Sequence, residues 1–143
     1  MNNSWNAKTS VSKMNSAKMI LMELVDSLDK NPNVEIGLRI YGHLSPLSSR
    51  NCQDTRLEVG FSRNSSSFIK RKLNTLRPRG ITPIAYSLQQ AATDFPNVGG
   101  RHIVILMTDG EESCDGNPCE VARELEAKGI ILKHFVIGIG LEG

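Results

Sequence analysis

Five consecutive apolar residues, Ile103, Val104, Ile105, Leu106 and Met107, stop abruptly at Thr108, Asp109 and Gly110. A short run rich in β-branched side chains suits a strand of a parallel sheet, covered on both faces by helices. The polar residues then fall at the strand's carboxyl end. A second apolar stretch, 130–139, reads the same way. Neither approaches the roughly 18 apolar residues that a membrane span needs.

The segments around these strands carry the helical period. In 9–28, Met14, Ala17, Leu21, Leu24, Val25 and Leu28 recur every three or four positions, which predicts an amphipathic helix capped by Thr9 or Ser10. A turn at 29–33 stops it. Val34, Ile36, Leu38 and Ile40 then alternate with Glu35, Gly37, Arg39 and Tyr41, the period of a strand. After a loop at 42–55 rich in Ser, Asn and Asp, residues 56–61 read as a shorter, less apolar edge strand. Residues 65–76 read as a helix with Phe68, Ile69, Leu73 and Leu76 inward. Thr82 and Pro83 give a cap-then-proline start to a helix whose stripe is Ile84, Ala85, Leu88, Ala92 and Phe95. Asn117 and Pro118 repeat that signal for a helix running to Lys128, with Glu124 and Lys128 one turn apart and Gly129 closing it.

Strands alternating with helices predict a doubly wound α/β domain, a mostly parallel sheet with helices on both faces. The 143 residues suit one domain, and no repeat or linker divides them. Ligands of such sheets bind beyond the carboxyl ends of the strands. The loops that matter are therefore 42–54, 79–82 and 109–118.

Charge excludes one large class of partner. Seventeen basic against fifteen acidic side chains leave a net charge of +2, too weak a field to favour nucleic acid. The local cluster Lys70, Arg71, Lys72, Arg77 and Arg79 lacks interleaved aromatics and reads as a solvated helix face. The opening MNNSWNAKTS has no apolar core of a signal peptide.

Among residues able to carry chemistry, Asp109 can be a cation ligand, an acid or base, or the cap of the turn that Gly110 begins. Thr82 can be a ligand or a simple N-cap. Cys114 and Cys119, five positions apart in ESCDGNPC, can close a local disulfide, and Cys52 in NCQDT can instead pair with either. A zinc site from His43, Cys52, Cys114 and Cys119 is a sharper alternative, but the spacing is not that of a known zinc module. His102 and His134 read as packing residues. Ser87 and Ser113 have no partnered His and Asp at an identifiable spacing, there is no phosphate-cradling GxxxxGK[ST] loop, and Glu111 with Glu112 reads as a solvated acidic turn. No enzyme activity is expected.

LRPRGITPIAYSLQQAATDF followed by IVILMTDGEESC, together with the first helix, YGH, NCQDT and the closing VIGIG, resembles the von Willebrand factor type A domain over essentially the whole chain. The YGH, NCQDT and post-TDGEE cysteine pattern is most similar to bacterial members. The resemblance implies a protein-binding, adhesion-type module, outside the cytoplasm, with a Mg²⁺ (or Mn²⁺ or Ca²⁺) site whose open position takes an acidic side chain of a partner. Three loops build such a site, through an Asp-x-Ser-x-Ser motif, a Thr and an Asp. Thr82 and Asp109 match the second and third; the first does not occur in these 143 residues. A hard cation wants about six oxygens, so weak or no metal binding is expected of this chain alone.

In the family's order the strand carrying the absent motif lies between 34–41 and 103–107. The expectation is thus a domain incomplete at its N-terminus, and at its C-terminus as well. Two strand edges would lack ladder partners, favouring self-association or acceptance of a strand. Two rival readings stand beside this one: a metal-assisted hydrolase or phosphatase using Asp109, and a structural fragment without metal or ligand.

Overall fold

The computed structural model describes residues 3–76, 81–95, 100–108 and 112–136. Helix α1 (Asn3–Asp29) leads into β1 (Ile36–Tyr41), a single 3-10 turn (Leu47–Ser49), β2 (Thr55–Ser62) and α2 (Ser66–Thr75). Then come α3 (Ile84–Asp94), β3 (Ile103–Thr108), α4 (Pro118–Ala127) and β4 (Ile131–Val136). The order is that of an α/β fold. No described helix is long and apolar enough to cross a membrane.

Helix α1 starts at Asn3 rather than at a Thr9 or Ser10 cap, because 3–9 contain no Gly or Pro to break the turn. Its stripe holds at Ala17 and Val25, which are buried, while Met19 and Ile20 stay exposed. In α2 the inward residues are Ile69 and Leu73, four apart and each 1% exposed. Phe68, expected inward, is 57% exposed. Its ring instead lies under the Arg71 guanidinium. Helix α4 begins as its sequence predicts: the Asn117 side chain accepts hydrogen bonds from the Cys119 and Glu120 backbone N–H groups, and Pro118 occupies the first turn. At its end Gly129 adopts φ +80°, a conformation that costs a residue with a Cβ.

The strands form two separate ladders. β1 pairs with β2 antiparallel, with two register irregularities, and β3 pairs with β4 in parallel from Ile103↔Ile131 to Thr108↔Val136. No ladder joins β1 to β3 among the described residues. Helices α1 and α2 cover the first pair through a cluster of Val25, Ile69 and Leu73, with Ile36, Leu38 and Val59 packed against it. Helices α3 and α4 cover the second pair through Ile84, Ala85, Leu88, Val121, Leu125 and Ile130, onto which Val104, Leu106 and Leu132 pack.

Each cluster comes from one continuous part of the chain, save that Tyr41 of β1 joins the second. Other ties also cross between the two parts. Arg39 of β1 meets Asp94 of α3 through Nε at 2.7 Å and Nη2 at 2.8 Å, a two-pronged pair with side chains only 17% and 10% exposed. The Phe61 and Phe95 rings lie 5.2 Å apart, and His102 stacks on Phe95 at 4.4 Å, the packing role expected of it. The expectation of cover on both faces of β3 fails at its start, at Ile103. Val104 and Leu106 enter the α3 and α4 core, whereas Ile103, which alternation places on the opposite face with Ile105 and Met107, is 43% exposed.

Candidate functional site

The loops following β1 and β3 converge at the carboxyl ends of those strands. Tyr41 Oη of β1 stands 3.5 Å from the Met107 carbonyl of β3, which sets the two ends side by side. Beyond them Cys52 and Cys114 form a disulfide, with Cα atoms 5.9 Å apart. That pairing corrects the local Cys114–Cys119 bridge, since Cys119 is free and exposed on the first turn of α4. Two of the four side chains of the zinc alternative are thereby consumed. Among the described residues no group of three or more His, Cys, Asp and Glu could hold a metal.

The loop between β1 and β2 is built around Asp54, which is 1% exposed. Its carboxylate accepts from Leu44 N at 3.0 Å and Ser45 N at 2.9 Å, and its carbonyl accepts from Gly42 N at 2.8 Å. Gly42 takes φ +71°, which a glycine permits at this turn. Thr55 Oγ1 donates to the Ile40 carbonyl and accepts from Arg39. The YGH and NCQDT motifs thus act largely as scaffold: they fold a loop and present Cys52 to the bridge.

His43 lies between the Glu58 and Asp54 carboxylates, away from the disulfide. Its Nε2 lies 2.6 Å from Glu58 Oε2, and its Nδ1 lies 3.9 Å from Asp54 Oδ1. Glu58 also takes Arg56 Nε at 2.7 Å and Lys72 Nζ at 3.2 Å. Burial by itself would raise the Glu58 carboxyl, but the hydrogen bonds from Arg56, His43 and Lys72 prevail and bring it from 4.5 down to about 2.

Thr82 departs from its expected place. Pro83 occupies the N-cap of α3 with no side-chain cap, and the Thr82 hydroxyl contacts the Ser113 hydroxyl at 2.5 Å while the Thr82 carbonyl accepts from Ser113 N at 3.1 Å. One amide of the first turn of α3 finds another acceptor. Glu112 Oε1 takes Ala85 N at 2.8 Å and Glu112 Oε2 takes Cys114 N at 3.1 Å, so this residue is a helix cap rather than part of a solvated turn. Asp109 and Glu111 lie outside the described residues, as does Gly110.

A cavity of about 430 Å³ opens beside this junction, lined by Cys52, Tyr86, Gln89, Glu112, Cys114 and Glu120 among others. Gly116 also lines it, where a side chain has no room: a Cβ there would lie 2.7 Å from the Ala85 Cβ. Sequence reasoning located these three loops but missed Glu112, whose partner amide is 27 residues away. The signal for Asn117, by contrast, is local.

Two helices on each ladder, with cross-linked loops gathered at the carboxyl ends of β1 and β3, define an α/β domain whose candidate site lies at that end. Residues 2–142 match the model of the von Willebrand factor type A domain, and the chain belongs to that family. Members of the family are generally interaction modules. The chain is 37% identical to YwmC of Bacillus subtilis (strain 168) over 135 residues, 90% of this chain and 57% of that protein. It is 30% identical to YwmD of the same organism over 136 residues, 91% of this chain and 60% of that one. The chain therefore spans somewhat over half the length of these relatives. Among solved structures, an aerotolerance-related membrane protein of Bacteroides fragilis NCTC 9343 aligns with a TM-score of 0.68 at 21% identity, covering 87% of this chain and 56% of that one. BatB of Bacteroides thetaiotaomicron aligns at 0.63 with 23% identity, covering 86% and 55%. At these identities the two structures speak for the fold alone.

Proposed function

We propose that the chain is a protein-binding module whose recognition surface is the cross-linked loop end formed by 42–54, 81–83 and 112–117. The observation that carries this reading is the meeting of the Thr82 and Ser113 hydroxyls, which brings the loop before α3 onto the loop after β3. Hydroxyl oxygens are hard donors of the kind Mg²⁺ takes, and Asp109, directly after β3 in the sequence, would add a carboxylate. Thr82 and Asp109 would hold the ion, with Ser113 beside them. The ion would supply a positive centre for an acidic side chain of the partner. Exposed Asp115, Glu120 and Glu124 line the neighbouring cavity and repel such a partner, so the cation is what makes its approach favourable.

Two protein ligands fill few of about six positions, and the isolated chain should bind Mg²⁺ weakly. Calorimetric titration tests this: a shallow isotherm without saturation is expected, and tight saturable binding that disappears in Asp109→Ala would defeat the weak-site reading. The module reading is tested separately by titrating acidic peptides with Mg²⁺ present and following backbone resonances. Shifts confined to 81–85 and 112–117 are expected; none anywhere on the loop end would sink it. A disulfide joining two loops suits an oxidising compartment, and we place the module outside the cytoplasm on that ground.

A further inference from the structure

A second cavity, of about 250 Å³, opens where β1, β2 and the last turn of α2 meet, and it shares no lining residue with the cavity beside the disulfide. Its charged lining is His43, Arg56, Glu58 and Lys72, and its apolar lining is Ile40 and Leu76. Glu58 is the anchor of the group. Its side chain is 5% exposed, and both carboxylate oxygens are taken, Oε2 by Arg56 Nε and His43 Nε2 and Oε1 by Lys72 Nζ. With its carboxyl held near 2, Glu58 stays charged and fixes the three donors around it.

The donors, by contrast, have capacity left. A guanidinium carries five N–H groups, and Arg56 gives Glu58 only the one on Nε. The outer fork of Arg56, Nη1 with Nη2, makes no hydrogen bond among the described residues. Lys72 sets its ammonium on a single carboxylate oxygen. Both cations reach solvent, Arg56 with 58% of its side chain and Lys72 with 43%. Two permanent positive charges face one carboxylate, so the cavity keeps an excess of one before His43 is counted. The negative end of α2, which would repel an anion, is offset by Lys18 of α1, whose Nζ lies 2.7 Å from the Leu76 carbonyl.

An excess charge of one suits a monoanion, whereas the second charge of a dianion would meet the Glu58 carboxylate. A planar fork matches the two oxygens of a carboxylate, and a guanidinium already held by a buried anchor loses little freedom on binding. Ile40 and Leu76 offer apolar wall to the methylenes behind such a carboxylate. His43 also belongs to the 42–54 loop, which sets the cavity at the border of the recognition surface and within reach of a bound polypeptide. We propose that this cavity is a carboxylate pocket that takes a glutamate side chain of a polypeptide partner, with the Arg56 fork on both oxygens and the Lys72 ammonium on one. The assignment needs no cation and does not rest on Thr82 or Asp109.

The test is an NMR titration of the oxidised 143-residue chain in EDTA, with glutamate blocked as its N-acetyl amide as the probe and blocked glutamine as its neutral match. Saturable shifts are expected for the Arg56 Nε–H and for the amides of 40, 43, 56, 72 and 76, with none from blocked glutamine. Raising the salt to about 0.5 M should weaken binding severalfold. Acetate, a free acid without the longer side chain, should bind severalfold more weakly, and so should inorganic phosphate. Arg56→Lys keeps the charge but loses the fork and should weaken binding about fivefold or more, while the resonances of 103–107 stay in place and show that the chain remains folded. The absence of saturable shifts in the wild type overturns the proposal. Equal binding by Arg56→Lys does so too, since a diffuse field and not a fork would then hold the ligand. Acetate or phosphate binding at these residues as tightly as blocked glutamate would replace the side-chain assignment with a small-anion site. Shifts confined to 81–85 and 112–117 would also overturn it, by putting the acidic side chain at the loop end.

Discussion

Glu58 receives His43, Arg56 and Lys72 on two carboxylate oxygens, and its carboxyl sits near 2 instead of 4.5. The sign follows directly. A carboxyl depressed by folding adds stability above its ordinary value, and that stability drains away as pH falls from about 4.5 toward 2. Denaturant titrations of the wild type and Glu58→Gln across this window should therefore converge as the acid is added; parallel curves would mean that Glu58 is not the group responsible. Glu112 makes a second prediction at this scale. Glu112→Ala removes the acceptor for Ala85 N and Cys114 N and should cost about 1 to 2 kcal/mol in chemical denaturation, with Glu112→Gln intermediate. The contrast between Asn117 and Glu112 shows what a sequence can disclose about a helix start. Asn117 caps amides two and three residues ahead, so its role is written in adjacent letters. Glu112 caps a helix 27 residues behind it, and only the folded chain brings them together. The same holds for Asp54, whose burial under Leu44 and Ser45 amides has no local signature.

At the scale of elements, periodicity located the helices and strands well because each buries a stripe set by its own geometry. It failed for Phe68, expected inward together with Ile69, Leu73 and Leu76: packing against α1 buries Ile69 and Leu73 and leaves Phe68 57% exposed. Cysteine pairing lay beyond periodicity altogether: two partners were sterically open to Cys114, and loop convergence decided for Cys52. The bridge closes a separation of 62 residues, and on the chain-entropy model its loss costs about 4 kcal/mol. Cys52→Ser should lower the denaturation midpoint accordingly, whereas Cys119→Ser, which touches only the free thiol, should leave it nearly unchanged. Equal effects of the two would show that Cys114 exchanges partners in solution. Thr82, expected at the N-cap of α3, stands one residue before it, and its hydroxyl meets the facing loop rather than its own helix.

Over the whole molecule, two bodies of consecutive sequence meet through ties that include the largely buried ion pair of Arg39 with Asp94. Removing one member leaves the other charge without its partner in a largely dry setting. Arg39→Met should therefore destabilise by up to about 3 kcal/mol and broaden the thermal transition, because the two bodies then unfold with less mutual support. A transition as sharp as the wild type would place the coupling elsewhere. The division also bears on how the chain acquires its shape. The first body completes its cluster within 21–76 and the second draws all but Tyr41 from 84–132, so each can condense from near neighbours without waiting for the other. During synthesis the leading half can settle while the trailing half is still being made. Cys52 then waits for Cys114, and oxidation becomes a latch that closes last, recording that both halves have arrived in register.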